Sequence, residues 1–155
     1  RIVVDATKDL LMNVLKYHPF LIKPNNHEIG RIFNMKPLPE MPEDVLPLAH
    51  KTREMGAQNV LVSCGARGAA LVDQNDQEHI VPSAKIKLIN ATGAGDSMVA
   101  GFLATYDKTH DFDCSLVVAS ACVTATAASR GIAKRATIEK TVANLEQIIA
   151  KQNNK

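Results

Sequence analysis

Asn90-Ala91-Thr92-Gly93-Ala94-Gly95-Asp96-Ser97-Met98-Val99-Ala100-Gly101-Phe102-Leu103 carries the densest chemical signal in the chain. The alternating segment before it, Lys85-Ile86-Lys87-Leu88-Ile89, reads as a strand, and the apolar pattern from Ala94 to about residue 106 reads as a helix. Gly93, Ala94 and Gly95 allow a tight turn between the two and leave no large side chain in the way of a ligand. The amides of such a turn belong to the first turn of the helix and have no intrahelical acceptor. Free donors and the helix dipole together make an anion site. Asp96 stands against that tendency, because a carboxylate repels the anion the turn suits. The conflict resolves if Asp96 takes a proton from a hydroxyl that attacks a phosphoryl group. A structural reading competes with this one, since an acidic residue in a first helical turn also complements the dipole and can cap free N–H groups.

Composition narrows the choice. A chain of 155 residues is long enough to bury one core, and 46% hydrophobic with 22% charged residues describes a globular protein rather than a disordered one. A net charge of +2 is too small to argue for nucleic acid or a membrane surface, and 4% aromatic residues supply no stacking platform for bases. Cys64, Cys114 and Cys122 lack paired spacing and read as buried thiols of a reducing, cytoplasmic compartment. The weakly polar run over residues 116–128 is broken by Ser and Thr and is too short to span a bilayer. Residue 1 is Arg, inside an apparent strand, so the expectation is a sequence without its native N-terminus.

Working outward, Arg1-Ile2-Val3-Val4-Asp5 reads as a short buried strand, with Thr7 or Asp9 opening a helix to about residue 17. Phe20-Leu21-Ile22-Lys23 reads as a second strand stopped by Pro24, followed by a helical pattern over 25–33 and a proline-rich loop over 35–42. A helix over 43–55 ends at Gly56, and Asn59-Val60-Leu61-Val62-Ser63 is a third strand. Ala69-Ala70-Leu71-Val72-Asp73 and Glu78-His79-Ile80-Val81 flank a polar turn as a hairpin or meander. Helices follow over about 94–106, 113–129 and 137–151, the last capped by Thr137 with Glu139 and Glu146 exposed. Strands alternating with helices imply an α/β fold with a mostly parallel sheet, whose ligands bind at the carboxyl ends of the strands.

Three polar loops are expected on that rim: Lys23-Pro24-Asn25, Ser63-Cys64-Gly65 and the Gly93 turn. Asn25 and Glu28, three apart at a helix start, could hold Mg²⁺ through water, or could simply form a capping box. Ser63, Gly65 and Gly68 could present backbone amides to a phosphate, with Arg67 adding charge, or could only shape a turn. A dinucleotide fingerprint is excluded by Met98 where a third glycine is required, and the five scattered histidines lack metal-ligand spacing.

Taken together, these loops resemble the PfkB (ribokinase-like) carbohydrate kinases. Residues 90–103 resemble that family's second signature, Lys23-Pro24-Asn25-Asn26-His27-Glu28 resembles its Asn-x-x-Glu element, and residues 60–69 resemble its nucleotide-binding strand and turn. The Lys-Pro-Asn form points to the 1-phosphofructokinase and tagatose-6-phosphate kinase branch, and Ser129-Arg130-Gly131-Ile132-Ala133 is closer to the former. The resemblance implies the C-terminal portion of a three-layer α/β/α sandwich, without the sugar-binding half and the lid. Residues 1–155 are thus expected to be a nucleotide-binding and catalytic half that needs the N-terminal half of the same polypeptide and does not dimerise through the lid as a full-length homodimer would. It implies Asp96 as catalytic base, Gly93, Ala94 and Gly95 as anion hole, and Asn25 and Glu28 as organisers of Mg²⁺. ATP would be bound by Ser63, Gly65, Gly68, Lys23 and Asn25, with Ala119 and Val123 on the helix walling the adenine. The implied acceptor is a ketohexose phosphate, fructose 1-phosphate first. Asn90 stands where many relatives carry Asp, which helps bind an activating potassium ion.

Overall fold

The computed structural model describes residues 1–6 and 9–154, which form two compact units, Arg1–Ile80 and Val81–Lys155. The first is built on five adjacent strands: β1 (Val3–Val4), β2 (Leu21–Ile22), β3 (Asn59–Ser63), β4 (Ala69–Val72) and β5 (Glu78–Val81), which runs into the boundary. β1 pairs with β2 and β2 with β3 in parallel, whereas β3 and β4 are antiparallel. The sheet is therefore mixed, with its parallel part where sequence places the crossovers. Those crossovers carry α1 (Asp9–Val14), extended by a 3₁₀ turn over Leu15–Tyr17, then α2 (Asn26–Ile32) and α3 (Pro42–Glu54). The cap expected at Thr7 lies outside the described residues.

α3 lays Val45, Leu48 and Ala49 into one core with Val60, Val62, Ala70 and Val72. The alternate residues Leu21, Leu61 and Leu71 have no exposed surface either. A sheet buried on both faces is why these strands are continuous apolar runs instead of alternating ones. Gly56 ends α3 at φ +133°, where a Cβ would lie 2.2 Å from the Leu15 carbonyl oxygen, so only glycine fits. The fully buried Asn59 ties three elements together: its amide donates to the Phe20 carbonyl at 2.7 Å, and its Oδ1 accepts from the Gln74 amide at 2.8 Å. Buried Asp73 closes the hairpin turn by accepting from the amides of Asn75 and Gln77 at 2.7 and 3.0 Å.

The second unit contains three helices, α4 (Ala94–Thr109), α5 (Phe112–Ala127) and α6 (Arg135–Asn153). α5 packs against both neighbours. Phe102, Tyr106 and Phe112 cluster where α4 turns into α5, with ring centroids 4.7 Å apart for Tyr106 and Phe112. Asp111 caps α5 by accepting from the Cys114 amide at 2.9 Å. Glu139 and Glu146 are exposed, as sequence indicates.

Four expectations change. Residues 85–89 form no strand: Ile86, Leu88 and Ile89 are exposed, and alternation without a neighbouring strand supplies no ladder. The segment's end is fastened to a helix instead, the amides of Ile89 and Asn90 both donating to the Ala127 carbonyl at 2.8 and 3.1 Å. β1 is half-buried rather than buried, as the outermost strand of the sheet among the described residues. α6 starts at Arg135, two residues before the expected Thr137 cap, since Arg135 and Ala136 are strong helix formers. Cys114 is exposed, while Cys64 and Cys122 are buried. No described helix is long and apolar enough to cross a membrane.

His50 on α3 bridges to the hairpin, its Nδ1 lying 2.9 Å from Asp76 Oδ1 and its Nε2 2.8 Å from Glu78 Oε1. Arg53 Nε donates to the same Asp76 oxygen at 3.2 Å. The hydrogen bond to Glu78, helped by Asp76 and opposed by partial burial, raises the His50 pKa above its ordinary 6.5. A raised histidine value stabilises the fold fully below the unfolded value and loses that contribution as pH climbs through the folded one. Urea unfolding between about pH 6 and about pH 8 should show the wild type losing stability relative to His50→Gln, with the difference largest at the acid end.

Candidate active site

In the N-terminal unit, parallel pairing of β2 with β3 sets two of the expected loops side by side. The pairing continues past the strands as a bridge between Asn25 and Ser63, and the Ser63 amide donates to the Pro24 carbonyl at 3.2 Å. Asn25 is the N-cap of α2, with extended backbone at ψ 169°. Its Oδ1 accepts from the Glu28 amide at 2.8 Å, and Glu28 Oε2 accepts from the Asn25 amide at 2.8 Å. The capping box is therefore formed. It consumes one oxygen of each side chain and leaves Glu28 Oε1 as the free carboxylate oxygen. That donor set fits a Mg²⁺ held mainly by water and phosphate oxygens, and not one enclosed by protein ligands. No described group of three or more His, Cys, Asp or Glu side chains could itself enclose a metal ion.

Lys23 is 6% exposed, and its Nζ lies 3.2 Å from Asp5 Oδ2, a carboxylate at the end of β1. Sequence reading assigned Lys23 to phosphate and missed Asp5. The Ser63 loop closes on itself: the Cys64 amide donates to the Gly68 carbonyl at 2.8 Å and the Arg67 amide to the Cys64 carbonyl at 3.0 Å. The amides of Gly65 and Ala66, at the head of this 3₁₀ turn, are left without acceptors among the described residues. Burial, with the charges of Glu43 and Asp44, pushes the Cys64 thiol up to about 12, so it stays protonated and is no nucleophile.

In the C-terminal unit, the expected Gly-Ala-Gly turn does start a helix. Gly93 is the N-cap of α4 at φ +77°. The Ala94 amide donates to the Ala91 carbonyl and the Ser97 amide to the Gly93 carbonyl, at 3.2 and 2.9 Å. The amides of Gly95 and Asp96 lie between them with no acceptor among the described residues. Asp96 is exposed and makes no hydrogen bond or ion pair among those residues, so it does not cap the helix. The capping part of the structural reading is not met, while Asp96 keeps its place in the first turn of α4, where a carboxylate complements the helix dipole. Two unsatisfied amides and an uncommitted carboxylate stand within one turn of each other, a donor pair for an anion beside a proton acceptor. On α5, Ala119 has no exposed surface while Val123 is partly exposed, so Val123 is the one of this pair with surface to offer a base.

Asn90, and a threonine that sequence reasoning passed over, brace this turn. Asn90 Oδ1 accepts from the Thr92 amide at 2.9 Å, and its Nδ2 donates to the Arg130 carbonyl at 3.2 Å. Thr126 on α5 donates to Ser97 Oγ at 3.1 Å. The Asn90–Thr92 bond is local, but Arg130 lies 40 positions from Asn90 and Thr126 lies 29 from Ser97, so no local pattern announces those two.

Comparison with known proteins places this α/β chain in a family. Residues 2–139 match the pattern of the pfkB family carbohydrate kinases, and the chain belongs to that family. It is 40% identical over 108 residues to a 1-phosphofructokinase of Bacillus subtilis, covering 70% of this chain and 35% of that protein. It is 31% identical over 147 residues to a D-tagatose-1-phosphate kinase of Bacillus licheniformis, covering 94% of this chain and 47% of the relative. Among solved structures, a Staphylococcus aureus protein provisionally described as a phosphofructokinase superposes with a TM-score of 0.86 at 36% identity, over 92% of this chain and 46% of that one. Phosphofructokinase-2 of Escherichia coli, in complex with substrates and products, gives 0.83 at 27% identity over 94% and 48%. A ribokinase of Thermotoga maritima, at 22% identity and 0.74, shares the fold. The fold is thus ribokinase-like, and the chain spans about half the length, or less, of the relatives it matches. The tagatose relative is named for the 1-phosphate, whereas the branch named from sequence is that of tagatose-6-phosphate kinase.

Gly93 also offers a test of the turn itself. A Cβ there would lie 2.8 Å from Ile132 Cδ1, the end of a flexible side chain, so backbone strain dominates. Gly93→Ala should cost about 1–2 kcal/mol in urea unfolding. Gly131→Ala, where a Cβ meets nothing within 4 Å, serves as the near-neutral control.

Proposed function

We propose that this chain is the nucleotide-binding and catalytic-base half of an ATP-dependent sugar-phosphate kinase. Its acceptor is a ketohexose 1-phosphate, with fructose 1-phosphate giving fructose 1,6-bisphosphate. The observation that carries the reading is the unpaired Asp96 carboxylate beside the acceptor-free amides of Gly95 and Asp96. The acceptor hydroxyl loses its proton to Asp96 as its oxygen bonds to the γ-phosphorus, and the bond from that phosphorus to the ADP oxygen breaks. The two amides, with Gly93 and Ala94 shaping the turn, take up charge on the transferring oxygens. Ser63, Gly65 and Gly68 would line the nucleotide phosphates, Lys23 and Asn25 their outer oxygens, and Val123 the base. Mg²⁺, when bound through water at Glu28 and Asn25, neutralises phosphate charge. The acceptor sugar would be held by the N-terminal half of the same polypeptide. Tagatose 1-phosphate is the second reading, favoured by the relative that covers 94% of this chain.

In the full polypeptide, an assay of ADP release should show Asp96→Asn lowering kcat by about 10² or more with folding retained. A well-folded Asp96→Asn protein at near-normal turnover would overturn the role. Running the same assay with fructose 1-phosphate and tagatose 1-phosphate separates the two acceptors by kcat/KM. Glu28→Gln separates metal from cap. Glutamine preserves a capping box, so thermal stability should hold within about 0.5 kcal/mol, while the Mg²⁺ concentration for half-maximal rate should rise several-fold.

A further inference from the structure

Several side-chain hydroxyls on or just after the helices bond back to the carbonyl four residues earlier. Thr52, Thr109, Ser115, Ser129 and Thr141 all do so, a common habit of Ser and Thr in helices. Thr126 does not. It is fully buried, and its hydroxyl leaves α5 altogether to donate to Ser97 Oγ on α4 at 3.1 Å. Ser97 Oγ passes the donation on to the Gly93 carbonyl at 2.8 Å, which the Ser97 amide also engages at 2.9 Å. At the other end, Thr126 Oγ1 accepts from the Ala133 amide at 3.3 Å. Each hydroxyl therefore accepts once and donates once. The result is one directed chain: Ala133 N–H to Thr126, Thr126 to Ser97, Ser97 to the Gly93 carbonyl.

We propose that Thr126 is a positioning residue for phosphoryl transfer, acting through Ser97 on the Gly93–Ala94 peptide plane. The proposal rests on the reading of the Gly93 turn as the phosphoryl site. A peptide plane is rigid, so a carbonyl fixed by two donors fixes the amide on its other side and the helical path of the next residues. Those next residues carry the acceptor-free amides of Gly95 and Asp96, and Asp96 itself. At φ +77° glycine has wide conformational freedom, and nothing in its own side chain restrains the plane. The hydroxyl chain supplies the restraint, and successive bonds polarise each other in a buried setting. The far end of the chain lies in the segment whose Arg130 carbonyl holds Asn90, so both sides of the turn are anchored to one stretch after α5.

The test compares Thr126→Val, Thr126→Ser, Ser97→Ala and Asp96→Asn in the full polypeptide by steady-state kinetics and thermal unfolding. Thr126→Val keeps the shape and removes the hydroxyl, and should lower kcat about tenfold or more, the scale expected of a misaligned catalytic group. Its KM for MgATP should stay within about twofold, because the loss falls on the transition state. Thr126→Ser should restore kcat. If Thr126→Val does not fold, Ser97→Ala breaks the next link at a less buried position and should show the same kcat loss. Wild-type kcat in folded Thr126→Val or Ser97→Ala overturns the proposal, as does a Thr126→Ser protein as slow as Thr126→Val. A full-speed Asp96→Asn protein overturns the base reading instead. A slow Asp96→Asn protein beside a full-speed Thr126→Val protein overturns the relay alone.

Discussion

Parallel strands cannot be joined by a tight turn, and the parallel pairing of β2 with β3 governs the first unit. It forces the long crossover through α2 and α3, and it brings the chain out of both strands at the same end. Pro24–Asn25 and Ser63 consequently meet as neighbours, close enough for the Ser63 amide to reach the Pro24 carbonyl. Everything proposed for nucleotide phosphates in this unit depends on that adjacency. The core on α3 and the Asn59 bonds to Phe20 and Gln74 serve to hold the pairing in register.

The second unit meets a different demand. The chemistry proposed for it calls for amides without protein acceptors, which a helix start supplies, and for a carboxylate that no neighbouring side chain engages. The positive φ of Gly93 creates the opening, and hydrogen bonds from Ser97, Asn90 and Thr126 brace it. Unsatisfied groups at the tip and fully satisfied ones behind it are the arrangement that a preorganised anion site requires.

Sequence made much of this legible where the determinants are local. The Gly93 turn, the Asn25–Glu28 cap, the Gly56 stop and the hairpin around residues 74–77 each declare themselves within a few residues, because turns and caps are short-range chemistry. Elements that depend on distant partners were read less well. Lys85 to Ile89 has a strand's alternation but pairs with no strand among the described residues. The ion pair of Lys23 with Asp5 and the bond of Thr126 to Ser97 join residues 18 and 29 positions apart in sequence, and no spacing rule reaches that far. The Asn25–Glu28 pair shows a further limit. One geometry satisfies a helix cap and still leaves an oxygen for metal-bound water, so the cap does not decide between the roles.

The account turns on phosphoryl transfer to a sugar phosphate at the Gly93 turn. Phosphorus NMR of the full polypeptide with MgATP and fructose 1-phosphate tests that most directly. The expected result is stoichiometric loss of the γ-phosphoryl signal with appearance of ADP and a second sugar phosphomonoester. Release of inorganic phosphate in its place, or no turnover by folded protein with either ketohexose 1-phosphate, would contradict it.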